Sequence, residues 1–156
     1  MPIIDGKLIE GAIKIATPAI KEILETRGAF WGPKYVAVVI MMTAEKFVYN
    51  ELLGTVTDWA PEWGERLNLR KIAEEKASIS ARTQIDTGNM VYNAPWLFLP
   101  KEHLYAGGVS TAGISIGVSG AKEYADEGIA RIILMAIIML AKLKVAKKRE
   151  CEDDEV

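Results

Sequence analysis

The segment Lys101 to Tyr105, KEHLY, contains the only histidine of the chain, His103, with Tyr105 two residues later. One imidazole cannot build a metal site that needs several histidines from one chain, but an axial bond to haem iron needs only one residue. The alternative is a solvated loop histidine, because Lys101 and Glu102 precede it. His103 is therefore a candidate metal or haem ligand, with Tyr105 as a second candidate.

Arg82 lies in a segment of good helix formers and small residues. It could reach a carboxylate or a propionate, although helical arginines more often face solvent or pair locally. Asp126 and Glu127 open a helix-like segment, where they complement its dipole. Their use as a general base is a further alternative, without local geometry to favour it.

The glycine-rich stretch Gly107 to Gly120, GGVSTAGISIGVSG, raises the question of a phosphate loop. Gly120 is followed by Ala121 and Lys122 rather than by lysine and then serine or threonine, and the G-x-G-x-x-G spacing is missing. The alternation of Ile114, Ile116 and Val118 with small residues instead predicts a half-buried strand. Nucleotide binding is therefore disfavoured.

Composition narrows the class of protein. A net charge of −2 and a pI near 5.5 offer no basic surface for nucleic acid. Cys151 is the only cysteine, so no disulfide can form within the chain. Ile129 to Leu143 is too short to span a bilayer, and Met1 to Glu10 lacks the pattern of a signal peptide. We expect a cytoplasmic globular protein without a membrane span.

Hydrophobic periodicity predicts the elements of the first half. Leu8 to Thr26 has a helical apolar face. Pro18 is expected to kink this helix or restart it at Thr17. Gly28 is the predicted end of the helix. Tyr35 to Met42 is a β-branched run typical of a central strand covered on both faces. Phe47 to Leu53 is its predicted antiparallel partner across a turn at Thr43 to Lys46.

The second half continues with a predicted surface loop that contains Trp59 and Trp63. Leu69 to Thr83 is predicted as a helix whose small residues allow close packing, ending at Gly88-Asn89. The last helix, with Ser119 or Gly120 as its cap, runs from acidic first turns to a basic end. The fold class is α+β with an antiparallel sheet. Residues 1–150 form one domain, and residues 151–156 form a frayed acidic tail.

Several motifs together resemble one family. They are IAEEKASISART (Ile72 to Thr83), the glycine pair Gly107-Gly108, GISIGVSG ending at Gly120, and AKEYADEGIAR (Ala121 to Arg131). The chain thereby resembles the GlcG/HbpS-like haem-binding and haem-degrading domains, which also occur as the C-terminal domain of some corrinoid adenosyltransferases. The resemblance implies a profilin-like antiparallel sheet of about five strands with packed helices, a long C-terminal helix and assembly into homo-oligomers.

The resemblance also implies a function: a small cytoplasmic protein that binds haem, a corrinoid or a related tetrapyrrole. Chemistry then assigns the axial bond to His103 or Tyr105, and the propionates to Lys101 or Arg82. The alternative is a non-catalytic accessory or scaffold subunit of a larger enzyme complex, which the tryptophans and the long apolar final helix favour.

Overall fold

Within residues 2–26, 35–42, 47–54 and 63–154, which the computed structural model describes, the chain forms four α-helices and four β-strands. The helices are α1 (Gly6–Glu25), α2 (Trp63–Thr83), α3 (Thr87–Asn93) and α4 (Glu123–Asp154). The strands are β1 (Tyr35–Met42), β2 (Phe47–Gly54), β3 (Gly108–Thr111) and β4 (Ile114–Ser119). The predicted α+β class with a long C-terminal helix is confirmed.

The strands form one antiparallel sheet in the order β2-β1-β4-β3. It has four strands in the described part of the chain, where the resemblance implied about five. The apolar run after Pro95 adds no strand, because Pro95 starts a 3₁₀ turn over Pro95–Leu97. β1 is central, as predicted, and Val36 to Ile40 are fully buried. The partner strand is confirmed in β2, and the predicted turn at 43–46 lies outside the described residues.

The sheet is covered on both faces. Val38 of β1 and Ile116 of β4 belong to the core formed with α1 and α4, whereas Val39 of β1 packs with the alanines of α2. β4 is therefore buried on both sides, and Ser115 is only 1% exposed. The predicted half-buried strand is wrong, because the small side of β4 faces a helix rather than water.

Glycines let the backbone of α2 approach the sheet closely. A Cβ atom on Gly117 would overlap the carbonyl oxygen of Ala73 and would lie 2.7 Å from the nitrogen of Ala77. A Cβ atom on Gly108 would likewise overlap the carbonyl oxygen of Lys76. The predicted close packing of this helix is confirmed, and it fixes α2 against β3 and β4.

The predicted first helix is confirmed, but it does not restart at Thr17. α1 starts after the N-cap Asp5, whose side chain accepts from the nitrogen of Leu8 at 2.9 Å, and it runs without a restart through Pro18. Thr17 does not act as a cap, because its hydroxyl donates to the carbonyl of Ile13 at 2.7 Å. The helix ends at Glu25, and Gly28 lies outside the described residues.

Three further boundaries were wrong. Trp63 begins α2 instead of lying in a surface loop, while Trp59 lies outside the described residues. Gly88 and Asn89 lie inside α3 and do not end the preceding helix, which stops at Thr83. Ser119 ends β4 and Gly120 has a φ of 135°, so neither caps α4, which begins at Glu123 and continues to Asp154.

We expect Gly117→Ala to destabilise the fold by about 1–3 kcal/mol or more, because the new methyl group must displace the backbone of α2. Gly128→Ala is the matched control, since Gly128 lies in α4 with nothing within 4 Å of an added Cβ. That control should stabilise by about 0.5–1 kcal/mol. Urea unfolding measures both, and equal stability of the two variants would contradict this packing.

Candidate functional site

The segment between α3 and β3, residues 94–107, carries the histidine, and Arg82 holds this segment in place. The Arg82 guanidinium binds Glu102 through Nη2 to Oε1 at 2.9 Å and Nη1 to Oε2 at 3.3 Å. Nη2 also donates to the carbonyl of Leu97 at 3.2 Å, and Glu102 Oε1 accepts from the nitrogen of Leu99 at 2.6 Å. Arg82 therefore ties the end of α2 to both halves of the segment.

His103 is fixed by a carboxylate from α2. Its Nδ1 lies 2.9 Å from Glu75 Oε1, and its backbone nitrogen donates to the same oxygen. The ring stacks against Tyr105, with centroids 6.2 Å apart and an interplanar angle of 21°. The His103 side chain nevertheless remains 49% exposed. Its position is thus constrained while part of the ring stays open to a ligand.

The remaining candidate cation, Lys101, lies on the same segment. It is exposed, has a φ of 72°, and makes no ion pair with any described residue. Arg82, Lys101, His103 and Tyr105 are therefore brought into one neighbourhood, in which Arg82 is already occupied by Glu102. Large apolar side chains are exposed in the same region of the chain: Tyr92, Trp96, Leu97, Leu99, Leu104 and Tyr105.

A buried ion pair between α2 and α4 was not predicted from the sequence. Lys76 Nζ lies 3.2 Å from Asp126 Oδ2, with both side chains 3% exposed, and it also donates to the carbonyl of Val118 at 2.9 Å. Asp126 Oδ1 accepts from the nitrogen of Ala121 at 2.9 Å. Lys76 and Asp126 both lie in the motifs that carry the family resemblance, but nothing in the sequence paired them.

Burial controls the charge of Asp126. Loss of solvent raises the pKa of Asp126 to about 6, although the Lys76 ammonium and the hydrogen bond from Ala121 both favour the carboxylate. Because Asp126 is almost completely buried, it is not available to a substrate as a general base. Its role is to join the start of α4 to α2 and β4.

Glu127 and Asp86 form a second, more exposed network with Arg131. Arg131 Nη2 lies 2.7 Å from Asp86 Oδ2 and 3.6 Å from Glu127 Oε1. Asp86 also accepts from the nitrogen of Ser110 at 3.2 Å. These contacts attach the start of α3 to β3 and α4. Glu127 therefore takes part in holding these elements together.

Other kinds of site find little support. Gly113 to Gly117 spell the G-x-S-x-G pattern of a hydrolase nucleophile, but Ser115 lies buried within β4 and not at a strand-to-helix turn. Across residues 2–26, 35–42, 47–54 and 63–154, no three His, Cys, Asp or Glu side chains are grouped to hold a metal ion. The same residues contain no helix with the length and apolarity to cross a membrane.

The fold defines a class: an α+β domain in which one antiparallel sheet lies between α2 and the α1–α4 pair. Solved structures of that class match most of the chain. Protein ORFY of Klebsiella pneumoniae, assigned to family DUF336, matches with a TM-score of 0.61 and 15% identity, over 86% of this chain and 90% of that one. HbpS matches with a TM-score of 0.57 and 19% identity, over 83% and 86%.

A structure of PduOC in complex with haem also matches, with a TM-score of 0.51 and 16% identity, over 83% of this chain and 88% of that one. No protein-family model and no curated protein sequence matches the chain. At these identities the likeness establishes the fold. The resemblance that the motifs indicated is confirmed at that level, and the chain has the fold of DUF336, HbpS and PduOC domains over most of its length.

We expect either Lys76→Met or Asp126→Asn alone to destabilise the protein at pH 7 by about 3–5 kcal/mol, because the remaining buried group loses its partner. The double variant Lys76→Met/Asp126→Asn should recover most of that loss, since neither charge is then buried. Urea unfolding of the four proteins gives the coupling free energy. Additive losses would show that the two side chains do not act as a pair.

The raised pKa of Asp126 also predicts a pH dependence. Between 3.8 and about 6, the folded state holds a proton on Asp126 that the unfolded state has released. The contribution of this group to stability is therefore present at low pH, falls as the pH rises through that window, and is constant above it. The difference in unfolding free energy between wild type and Asp126→Asn isolates this group. A difference that increases with pH would contradict the assignment.

Proposed function

We propose that the protein is a small cytoplasmic ligand-binding protein that binds haem or a related tetrapyrrole, such as a corrinoid, with His103 as the axial ligand. The observation that carries the proposal is the state of His103: Glu75 and Tyr105 restrain a ring that is still 49% exposed. A histidine imidazole is a common axial ligand of haem iron.

The residues present fit a haem group. Nε2 of His103 makes no hydrogen bond with the described residues, so its lone pair suits an iron bond. Exposed Trp96, Leu104 and Tyr105 offer the apolar contact that a macrocycle needs. Lys101 is the cation available to a propionate, while Arg82 holds the segment through Glu102. Bound haem would supply its iron chemistry, and the protein would supply orientation and shielding.

The likeness in fold supports the same ligand class. PduOC was solved with haem bound, and the fold match extends over most of both chains at 16% identity. Identity at this level leaves the ligand of the present chain to experiment. Tyr105 is the second candidate for the axial bond, because a tyrosine oxygen can also ligate haem iron.

Hemin titration followed by absorbance tests the proposal. Wild-type protein should shift and sharpen the Soret band with a saturable stoichiometry. His103→Ala should weaken binding by about tenfold or more, because one iron bond is removed and tenfold corresponds to only about 1.4 kcal/mol. Tyr105→Ala should weaken it less, through loss of the ring that stacks on His103.

Tyr124→Ala is the matched control, since Tyr124 is an equally bulky exposed side chain on α4, away from His103 in the chain. Circular dichroism establishes that each variant is folded. A wild-type protein without a Soret shift, or a shift unchanged in a His103→Ala/Tyr105→Ala double variant, would remove the assignment.

A role as an accessory subunit is the second candidate, and the outer face of α4 favours it. Met135, Met139 and Leu143 are exposed at successive turns, in a pattern suited to a protein partner or to another copy in a homo-oligomer. Native mass spectrometry of protein from its own source distinguishes the alternatives. Recovery only as a homo-oligomer would count against a fixed complex with other proteins.

A further inference from the structure

We propose that Glu75 is a positioning residue for His103, which it holds in the tautomer with hydrogen on Nδ1 and a lone pair on Nε2. The inference deepens the proposed function, on which it rests for the identity of the ligand that Nε2 receives. The tautomer itself belongs to the protein without ligand. It can therefore be tested even if haem does not bind.

Two donors of one residue converge on a single oxygen. Glu75 Oε1 accepts the backbone N–H of His103 and lies 2.9 Å from Nδ1 of the same residue. A carboxylate has no hydrogen to donate, so the contact with Nδ1 is a hydrogen bond only if Nδ1 carries the hydrogen. In a neutral imidazole, the hydrogen is then absent from Nε2, which becomes the ligating nitrogen.

The acceptor is held by a rigid element. Glu75 lies in α2 beside Lys76, whose ammonium is buried against Asp126 and the carbonyl of Val118. The oxygen that accepts the hydrogen bond from Nδ1 therefore belongs to a helix that is fixed to the sheet. Stacking with Tyr105 gives a second restraint on the plane of the ring. Together these contacts set both the tautomer and the direction of Nε2.

The consequence for ligation is chemical as well as geometric. A carboxylate that accepts from the remote nitrogen of a ligating histidine orients the ring and raises the basicity of the ligating nitrogen. Loss of such a partner typically lowers metal affinity by about 10- to 100-fold. We therefore expect Glu75→Ala to weaken hemin binding by about that factor while His103 remains in place.

The chain offers an unusually clear measurement, because His103 is its only histidine. In protein labelled with ¹⁵N-histidine and free of ligand, every imidazole nitrogen signal belongs to this residue. On the alkaline plateau of a pH titration, long-range ¹H–¹⁵N correlation should show a pyrrole-type Nδ1 and a pyridine-type Nε2. Free histidine prefers the opposite tautomer, so the result is not expected by default.

Variants of Glu75 distinguish a role in positioning the His103 ring from a role in folding alone. Glu75→Ala should return the ring towards the Nε2–H tautomer, whereas Glu75→Gln, which keeps an acceptor oxygen, should retain much of the Nδ1–H form. Glu74→Ala is the matched control: its carboxylate accepts from Asn50 at 2.8 Å, so removing it should leave the imidazole signals unchanged.

Each outcome is decisive. A wild-type ring with hydrogen on Nε2, or one whose tautomer is unchanged in Glu75→Ala, overturns the inference. An Nδ1–H ring that shifts in Glu75→Ala supports it. If that ring is found and hemin does not bind, the positioning role stands and the proposed haem function fails.

Discussion

The buried contact between Lys76 and Asp126 is the interaction on which the rest of this structure depends. At 3.2 Å and with both side chains 3% exposed, the pair joins α2 to the first turn of α4 and, through Val118, to the sheet between them. An ion pair so far from water stabilises only when its geometry is well satisfied. Here the carbonyl of Val118 and the amide of Ala121 supply the additional hydrogen bonds.

That contact is helped by two glycines of the sheet, which bring no side chains between β3, β4 and the backbone of α2. Gly108 and Gly117 let the helix backbone approach so closely that a methyl group could not be accommodated. The rotation of α2 that directs Lys76 inward also directs Glu75 towards His103 and places Arg82 beside Glu102. The segment of residues 94–107, with its exposed aromatic residues, is thus attached by polar contacts to a helix that packs closely on the sheet.

Much of this architecture could be predicted from local pattern, whereas the contacts between elements could not. The β-branched run of β1 and the apolar face of α1 identified these elements. Ser115 and Gly117, in contrast, looked like the solvent side of a strand, because small polar residues suit water and close helix packing equally well. Gly88 looked like a helix end but lies inside the short α3, where an added Cβ atom would come within 2.6 Å of Glu127 Oε1.

The residues of the candidate site could likewise be predicted only in part. Residue type alone singled out His103, Tyr105, Lys101 and Arg82. Their partners could not be predicted, because Glu75 and Glu102 come from 28 and 20 residues away and only the folded helix brings them together.

Above all, we propose that the imidazole of His103 binds the iron. Pulsed electron paramagnetic resonance on ferric hemin bound to protein labelled only with ¹⁵N-histidine tests this bond directly, since the chain has one histidine. We expect a ¹⁵N hyperfine coupling to the iron that disappears in unlabelled protein. Bound hemin without any ¹⁵N coupling would contradict it.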